Sequence, residues 1–160
     1  MELVRRGDAA AYTTLFDRYR APVYGYVLRM VRRREVADEV FQDTFLAVHR
    51  ARASYASGEG SFRSWLYRIA TNAARDRARR TARRPEVYEE VEVPVREAPG
   101  DRLMLERALA ELPENLREAF LLGAAFGMDH NEVAAALDIT PDNARARLSR
   151  ARARLREILQ

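Results

Sequence analysis

The chain has 160 residues, no cysteine, and only arginine among its 28 basic residues. That length holds one ordinary domain or two small ones. Without cysteine there is neither a disulfide framework nor a thiolate metal site. No apolar run approaches the roughly 18 residues of a membrane span, and the N-terminus lacks an apolar signal core; no membrane insertion is expected, and a cytoplasmic protein is. The exclusive use of arginine suggests a GC-rich genome. The net charge of +4 is unevenly spread: residues 1–81 sum to +7, 82–100 to −2, 101–142 to −6 and 143–160 to +5. Two basic stretches separated by an acidic one point to two contacts with a polyanion.

Asp8 is a good cap for a first helix carrying Tyr12, Leu15, Phe16 and Tyr19 at helical spacing. Pro22 is expected to break it and start a second helix with Val23, Tyr24, Val27, Leu28 and Val31. Arg32-Arg33-Arg34 closes that helix, where cations suit the dipole. A third helix is expected over about 35–52, with Val36, Val40, Phe41, Phe45 and Val48 inward. Glu35, Asp38, Glu39, Gln42 and Asp43 gather on its outer side. Such a face fits either solvent or a basic partner protein.

Residues 53–60 read as a loop; Gly58-Glu59-Gly60 is a weak phosphate-loop candidate without the rest of a dinucleotide fingerprint. Ser61 caps a fourth helix to about Thr81, with Phe62, Trp65, Leu66, Ile69 and Ala73 as its core face. Ser64, Arg68, Asn72, Arg75 and Arg79 form the opposite stripe, with Asp76 beside it. Asn72 and these arginines can bond base edges and phosphates. Trp65 lies on the apolar stripe and is read as core.

Residues 82–100 hold Pro85, Pro94, Pro99 and five glutamates with no strong period, the composition of an extended linker. A second unit then starts near Asp101, with one helix through Leu103, Leu105 and Leu109. Pro113 opens another, with Leu116, Ala119, Phe120 and Leu122 inward, ending near Gly127. Asp129 and Glu132 fit a capping box for a short helix through Val133, Ala134 and Leu137. Asp138-Ile139-Thr140 is the turn. Thr140 caps, and Pro141 begins, a last helix of about five turns.

Placed 100° apart, Ala144, Leu148, Ala151 and Leu155 form the buried stripe of that helix. Asp142, Ala146, Ser149 and Ala153 lie opposite. Arg145, Arg152 and Arg156 line one flank, Arg147 and Arg154 the other, and Arg150 and Asn143 sit between. A ridge of short side chains between arginine rails suits a DNA major groove. Residues 143–156 hold six arginines and no acid, which weighs against a merely solvated helix.

No catalytic constellation, metal-ligand spacing or cofactor fingerprint is present: His49 and His130 are isolated, and there is no glycine-lysine phosphate loop or nucleophile elbow. The fold class expected is all-α, two small helical domains joined by an extended linker, with no strand. Three function classes are weighed: a promoter-specificity subunit, a stand-alone helix-turn-helix regulator, and a nucleic-acid enzyme. The second leaves the acidic helix and the second arginine stripe unexplained. The third lacks a catalytic set.

Phe62-Arg63-Ser64-Trp65-Leu66-Tyr67-Arg68-Ile69-Ala70-Thr71-Asn72 resembles the signature of bacterial RNA polymerase sigma factors of the extracytoplasmic-function group, in the sigma-70 family. Ala37-Asp38-Glu39-Val40-Phe41-Gln42-Asp43-Thr44-Phe45 resembles a second motif of that group, and Leu112-Pro113 and Leu148-Ser149-Arg150-Ala151-Arg152 resemble its C-terminal domain. The resemblance covers nearly the whole chain. It implies sigma region 2 over 1–81, a linker over 82–100 and sigma region 4 over 101–160.

By that resemblance, Asp38, Glu39, Gln42 and Asp43 dock on the clamp helices of the largest polymerase subunit, with the flap of the second-largest as a further contact. The loop 53–60, together with Ser64, Arg68, Asn72, Arg75, Asp76 and Arg79, engages and melts the −10 element. Asn143, Arg145, Ala146, Arg147, Ser149, Arg150 and Arg152 read the −35 element as duplex. An anti-sigma factor is implied as a further partner. No cofactor, metal or enzymatic activity is implied. Asp142-Asn143-Ala144 stand where the family often has Gly-Thr-Val, so no −35 sequence is carried over. The chain ends carry no long extension, and no further regulatory domain is expected.

Overall fold

The computed structural model describes residues 1–56, 60–83 and 100–160, and among these every regular element is helical. The helices are α1 (Glu2–Arg5), α2 (Ala9–Val31), α3 (Arg34–Ala51), α4 (Phe62–Arg83), α5 (Gly100–Glu111), α6 (Glu114–Phe120), α7 (His130–Leu137) and α8 (Pro141–Ile158). A 3-10 turn at Arg52–Ser54 follows α3, and a wide π turn at Leu121–Ala125 continues α6. The candidate phosphate loop falls largely on residues outside the described ones. Of the expected linker 82–100, Ala82 and Arg83 belong to α4 and Gly100 to α5; the rest lies outside the described residues.

Helices α2, α3 and α4 pack on one another as a bundle. Pro22 does not divide α2, as its sequence suggests, but sits inside one 23-residue helix. A proline there removes one intrahelical hydrogen bond. Both halves pack within the bundle, on α3 and α4, which offsets that loss. Phe16 meets Phe41 and Phe45 edge-on and the Tyr12 hydroxyl donates to the Phe45 carbonyl before the proline, while Val23, Tyr26 and Val27 are fully buried after it. Arg32 ends α2 in the left-handed region at φ 56°. The short α1, which has no periodic signal, places Val4 in the interior.

In the C-terminal half, α6 and α7 pack on α8. Asp129 and Glu132 complete the expected capping box, and Thr140 accepts from the Asn143 N–H. The buried residues of α8 are Ala144, Leu148, Ala151 and Leu155, the stripe its sequence gives. Gly123, in the π turn, lets the chain approach α8 closely: a Cβ there would lie 2.7 Å from Leu148 Cδ2.

The two halves form one continuous core. Helix α7 lies along α4, and α6 touches α2. Phe126 of the C-terminal half reaches Tyr26 and Tyr67 of the bundle. Its ring stacks on Tyr67 at 5.2 Å and 28°, and meets Tyr26 at 6.2 Å. The Tyr26 hydroxyl is satisfied by Thr71 at 2.8 Å. Burial raises the pKa of both tyrosines, so both stay neutral.

Candidate nucleic-acid and polymerase interfaces

The structure puts α8 at the surface. Asn143, Arg145, Ser149, Arg150 and Arg152 are exposed, and Ala146 is half-exposed between them. Three arginines of this helix find an acidic or amide partner within it: Arg145 with Asp142 at 3.1 Å, Arg147 with Asn143 at 3.2 Å and Arg154 with Glu157 at 2.9 Å. Exposed pairs of this kind contribute little to stability and yield easily to a competing phosphate. Arg147 differs from the others, because it borders an open cleft of about 610 Å³ shared with Arg75, Arg79, Glu114 and Glu118.

On α4 the outcome departs from the expected solvent-facing stripe. Ser64 is buried, its Oγ donating to the Glu132 carbonyl at 2.9 Å. Arg75 grips Glu118 of α6 with both arms, Nε at 3.0 Å and Nη2 at 2.7 Å. The Glu118 side chain is only 2% exposed. The bond to Glu118 is the main reason the Arg75 guanidinium is pushed above its usual range. Arg68 pairs with Asp138 at 3.3 Å. Asn72 stays exposed, as do Asp76 and Arg79, which bond to each other.

Arg63, beside this stripe, donates to both Glu132 oxygens and to the Phe126 carbonyl. Burial alone would raise the Glu132 carboxyl. Hydrogen bonds from the Asp129 backbone, Arg63 and Ser61 outweigh it and hold the group below the usual carboxylate range. The acidic stretch 101–142 therefore lies against the basic bundle, and part of the charge separation in the sequence is satisfied internally.

Two arginines, Arg29 of α2 and Arg117 of α6, tie α2, α5 and α6 together. Arg29 pairs with Glu106 at 2.6 Å, and Arg117 donates to the carbonyls of Leu109, Ala110 and Leu112 as well as, at 3.4 Å, to those of Arg29 and Met30.

On the outer face of α3, Asp38, Gln42 and Phe41 share a shallow groove with Arg20 and Tyr24. The Tyr24 hydroxyl donates to Asp38 Oδ1 at 2.8 Å and fixes that carboxylate. Glu39 pairs with Arg77 at 3.1 Å, while Asp43 is exposed. Spacing alone assigns Tyr24 and Phe41 to the core. Both are only half-buried, and their aromatic edges give this acidic face an apolar floor.

Among the described residues, no group of three or more side chains is arranged to hold a metal, and no helix is long and apolar enough to cross a membrane.

An acidic, aromatic-floored face on α3 and, in the helix-turn-helix, an exposed arginine helix define a helical protein with one surface suited to a basic protein and another suited to DNA. The sigma-70 region 2 family model matches residues 15–84, and the sigma-70 region 4 family model matches residues 102–155. The chain belongs to the sigma-70 family, in the extracytoplasmic-function group: it is an alternative sigma factor, a DNA-binding transcription initiation factor that directs promoter-specific transcription by RNA polymerase.

It is 39% identical over 167 residues to the RNA polymerase sigma factor CarQ of Myxococcus xanthus, across 99% of this chain and 95% of that protein. It is 34% identical to the extracytoplasmic-function sigma-E factor of Escherichia coli, across 95% of this chain and 88% of that one. Among solved structures it is similar to CnrH in complex with the cytosolic domain of CnrY, with a TM-score of 0.75 and 28% identity over 99% of this chain and 93% of that one. The sigma factor RpoE of Bartonella quintana, crystallised with the anti-sigma factor NepR, shares the fold, with a TM-score of 0.78 and 24% identity over 93% of this chain and 96% of that one.

Proposed function

We propose that this sigma factor divides its work among three surfaces. Residues 1–81 act as region 2 and 101–160 as region 4, with 82–100 between them. Asp38, Glu39, Gln42 and Asp43 dock on the clamp helices of the largest polymerase subunit, with the Tyr24–Phe41 floor beneath them, and region 4 meets the flap of the second-largest. Helix α8 reads the −35 duplex through Asn143, Arg145, Ala146, Arg147, Ser149, Arg150 and Arg152. Helix α4 holds the opened −10 strand through Ser64, Arg68, Asn72, Arg75, Asp76 and Arg79. The protein works in the bacterial cytoplasm and catalyses no reaction itself. An anti-sigma factor restrains it, the kind of partner with which RpoE of Bartonella quintana was crystallised.

The observation that carries this reading is the exposed face of α8, where short side chains are flanked by arginines, and where the pairs of Arg145, Arg147 and Arg154 lie within the helix itself. That arrangement lets a helix sink between phosphate rows and exchange its weak internal pairs for phosphate. The acidic groove on α3 favours a polymerase-bound factor over a stand-alone regulator, since an acidic surface repels DNA and suits a basic protein.

The test compares promoter binding by the chain alone and with core polymerase, and core binding by a variant with Asp38 and Asp43 both changed to Arg. The expected results are weak promoter binding alone, tight binding with core, and loss of core affinity in the variant with helicity unchanged. Equal promoter binding with and without core would return the stand-alone regulator.

A further inference from the structure

The contacts between the two halves fall on the α4 surface assigned above to the −10 strand. Under the C-terminal half lie Ser64, Tyr67 and Arg75, with Arg63 and Arg68 at the edge. An aromatic ring, a hydroxyl and flanking guanidinium groups are the parts of a single-strand site: bases stack on the ring and arginines hold the backbone. Each part already has an occupant of matching chemistry. A flat ring, Phe126, stacks on Tyr67 at 5.2 Å. Carboxylates sit on the arginines: Glu118 in two-armed geometry on Arg75, Glu132 on Arg63 and Asp138 on Arg68. Planar two-armed pairing is the geometry that guanidinium offers to carboxylate and phosphate alike.

We propose that region 4 closes the strand-holding face of α4 by standing in for a nucleotide strand, Phe126 in place of a base and Glu118, Glu132 and Asp138 in place of phosphates. The free factor is thereby held from single-stranded DNA, and Tyr67 becomes a base-stacking residue once region 4 swings away. This rests on the assignment of α4 to the −10 strand. Asn72 and Arg79 lie exposed at the margin of the closed face. They supply a first foothold from which an incoming strand displaces the mimic. Because closure and strand binding exclude each other, DNA opens the chain to the same degree that closure weakens DNA.

The chain has no cysteine, so Leu46→Cys on α3 and Met104→Cys on α5, both exposed positions, accept a pair of spin labels. Double electron–electron resonance on the full chain reads the separation of the halves. Fluorescence anisotropy reads affinity for a labelled single-stranded oligonucleotide of mixed sequence. The test variant is Glu118→Gln with Glu132→Gln and Asp138→Asn. Glutamine serves a capping box and asparagine tolerates the left-handed backbone, and circular dichroism checks that helicity is kept.

The parent should give one short separation that lengthens as oligonucleotide is added. The variant should be lengthened without DNA and bind the oligonucleotide about tenfold more tightly, inside the roughly 5- to 150-fold span of intersite couplings. Phe126→Ala should act in the same direction. A parent whose separation stays short when saturated with the oligonucleotide overturns the proposal, and so does a variant that opens without gaining affinity. Arg68→Ala with Arg79→Ala, in holoenzyme on a forked template, then separates the two failures. Weakened fork binding leaves the −10 assignment standing and the mimicry alone refuted; unchanged binding removes both.

Discussion

Helices α4 and α8 are both rich in arginine, yet their arginines live in different chemistry. On α8 the pairs are local, three or four residues apart and open to water. On α4, apart from the local Arg79–Asp76 pair, they reach across the fold, from Arg63 to Glu132, Arg68 to Asp138, Arg75 to Glu118 and Arg77 to Glu39. Arginine content alone does not decide which guanidinium groups are open: packed neighbours occupy Arg63 and Arg75 of α4, while the pairs on α8 stay exposed. The arginine-bearing face of helix α8 is open to solvent as it stands. Helix α4 is spoken for by carboxylates of the same chain.

The largest expected contrast is in stability. Glu118→Ala leaves Arg75 without its buried partner, and should cost about 3 kcal/mol, the lower end for breaking a buried pair because Arg75 keeps some water. Glu157→Ala on α8 should change stability by less than about 0.5 kcal/mol, as for other exposed pairs. Urea melts of both variants check this, and comparable losses would erase the distinction between the helices. Next in size is base preference: Asn143→Ala and Arg150→Ala, on the exposed ridge, should shift discrimination at one −35 base pair by about 1–3 kcal/mol. Arg145→Ala should weaken all sequences alike and lower the salt slope by about one. Titrations over promoter variants and salt separate the two behaviours.

Asn72→Ala should spare core binding and closed-complex formation but slow strand opening. Permanganate reactivity of unpaired thymines on duplex and pre-melted templates reads the difference; equal opening on duplex by parent and variant would remove Asn72 from this role. The smallest effect expected is acid-dependent. Glu132 is depressed in the folded chain from an ordinary value of 4.5. Its contribution is therefore present above about pH 4.5 and lost as pH falls through the lower folded value. Glu132→Gln should flatten the acid limb of the stability profile below about pH 4.5, and an unchanged limb would mean that this carboxylate does not help hold the halves together.

The same contrast explains what can be read from the sequence. Helix α8 buries one face, so Ala144, Leu148, Ala151 and Leu155 stand out at helical spacing, and its caps are local in sequence. The capping box at Asp129 and Glu132 is legible for the same reason. Helix α4 is covered on two sides, by the bundle and by α7. Leu66, Tyr67, Ala70, Thr71 and Ala74 are buried together with Ser64, and no single stripe marks the boundary. Spacing thus assigns Ser64 and Arg75 to solvent, because the partner that covers each is distant in sequence, 43 residues away for Arg75 and 68 for Ser64. The continuity of α2 through Pro22 is a packing result of the same kind. The acidic stretch 101–142 carries the one hint, since a charge of −6 beside +7 in one chain can be met internally as well as by partners.

The division of labour between the two helices is tested most directly by two holoenzymes on two templates. One carries Arg145→Ala, Arg150→Ala and Arg152→Ala; the other carries Arg68→Ala, Arg75→Ala and Arg79→Ala. Affinity is measured for a duplex bearing only the −35 element and for a forked template bearing a single-stranded −10 element. The α8 variant should lose the duplex and keep the fork, and the α4 variant should keep the duplex and lose the fork. Equal loss on both templates by either variant would contradict the separation of duplex reading from strand holding.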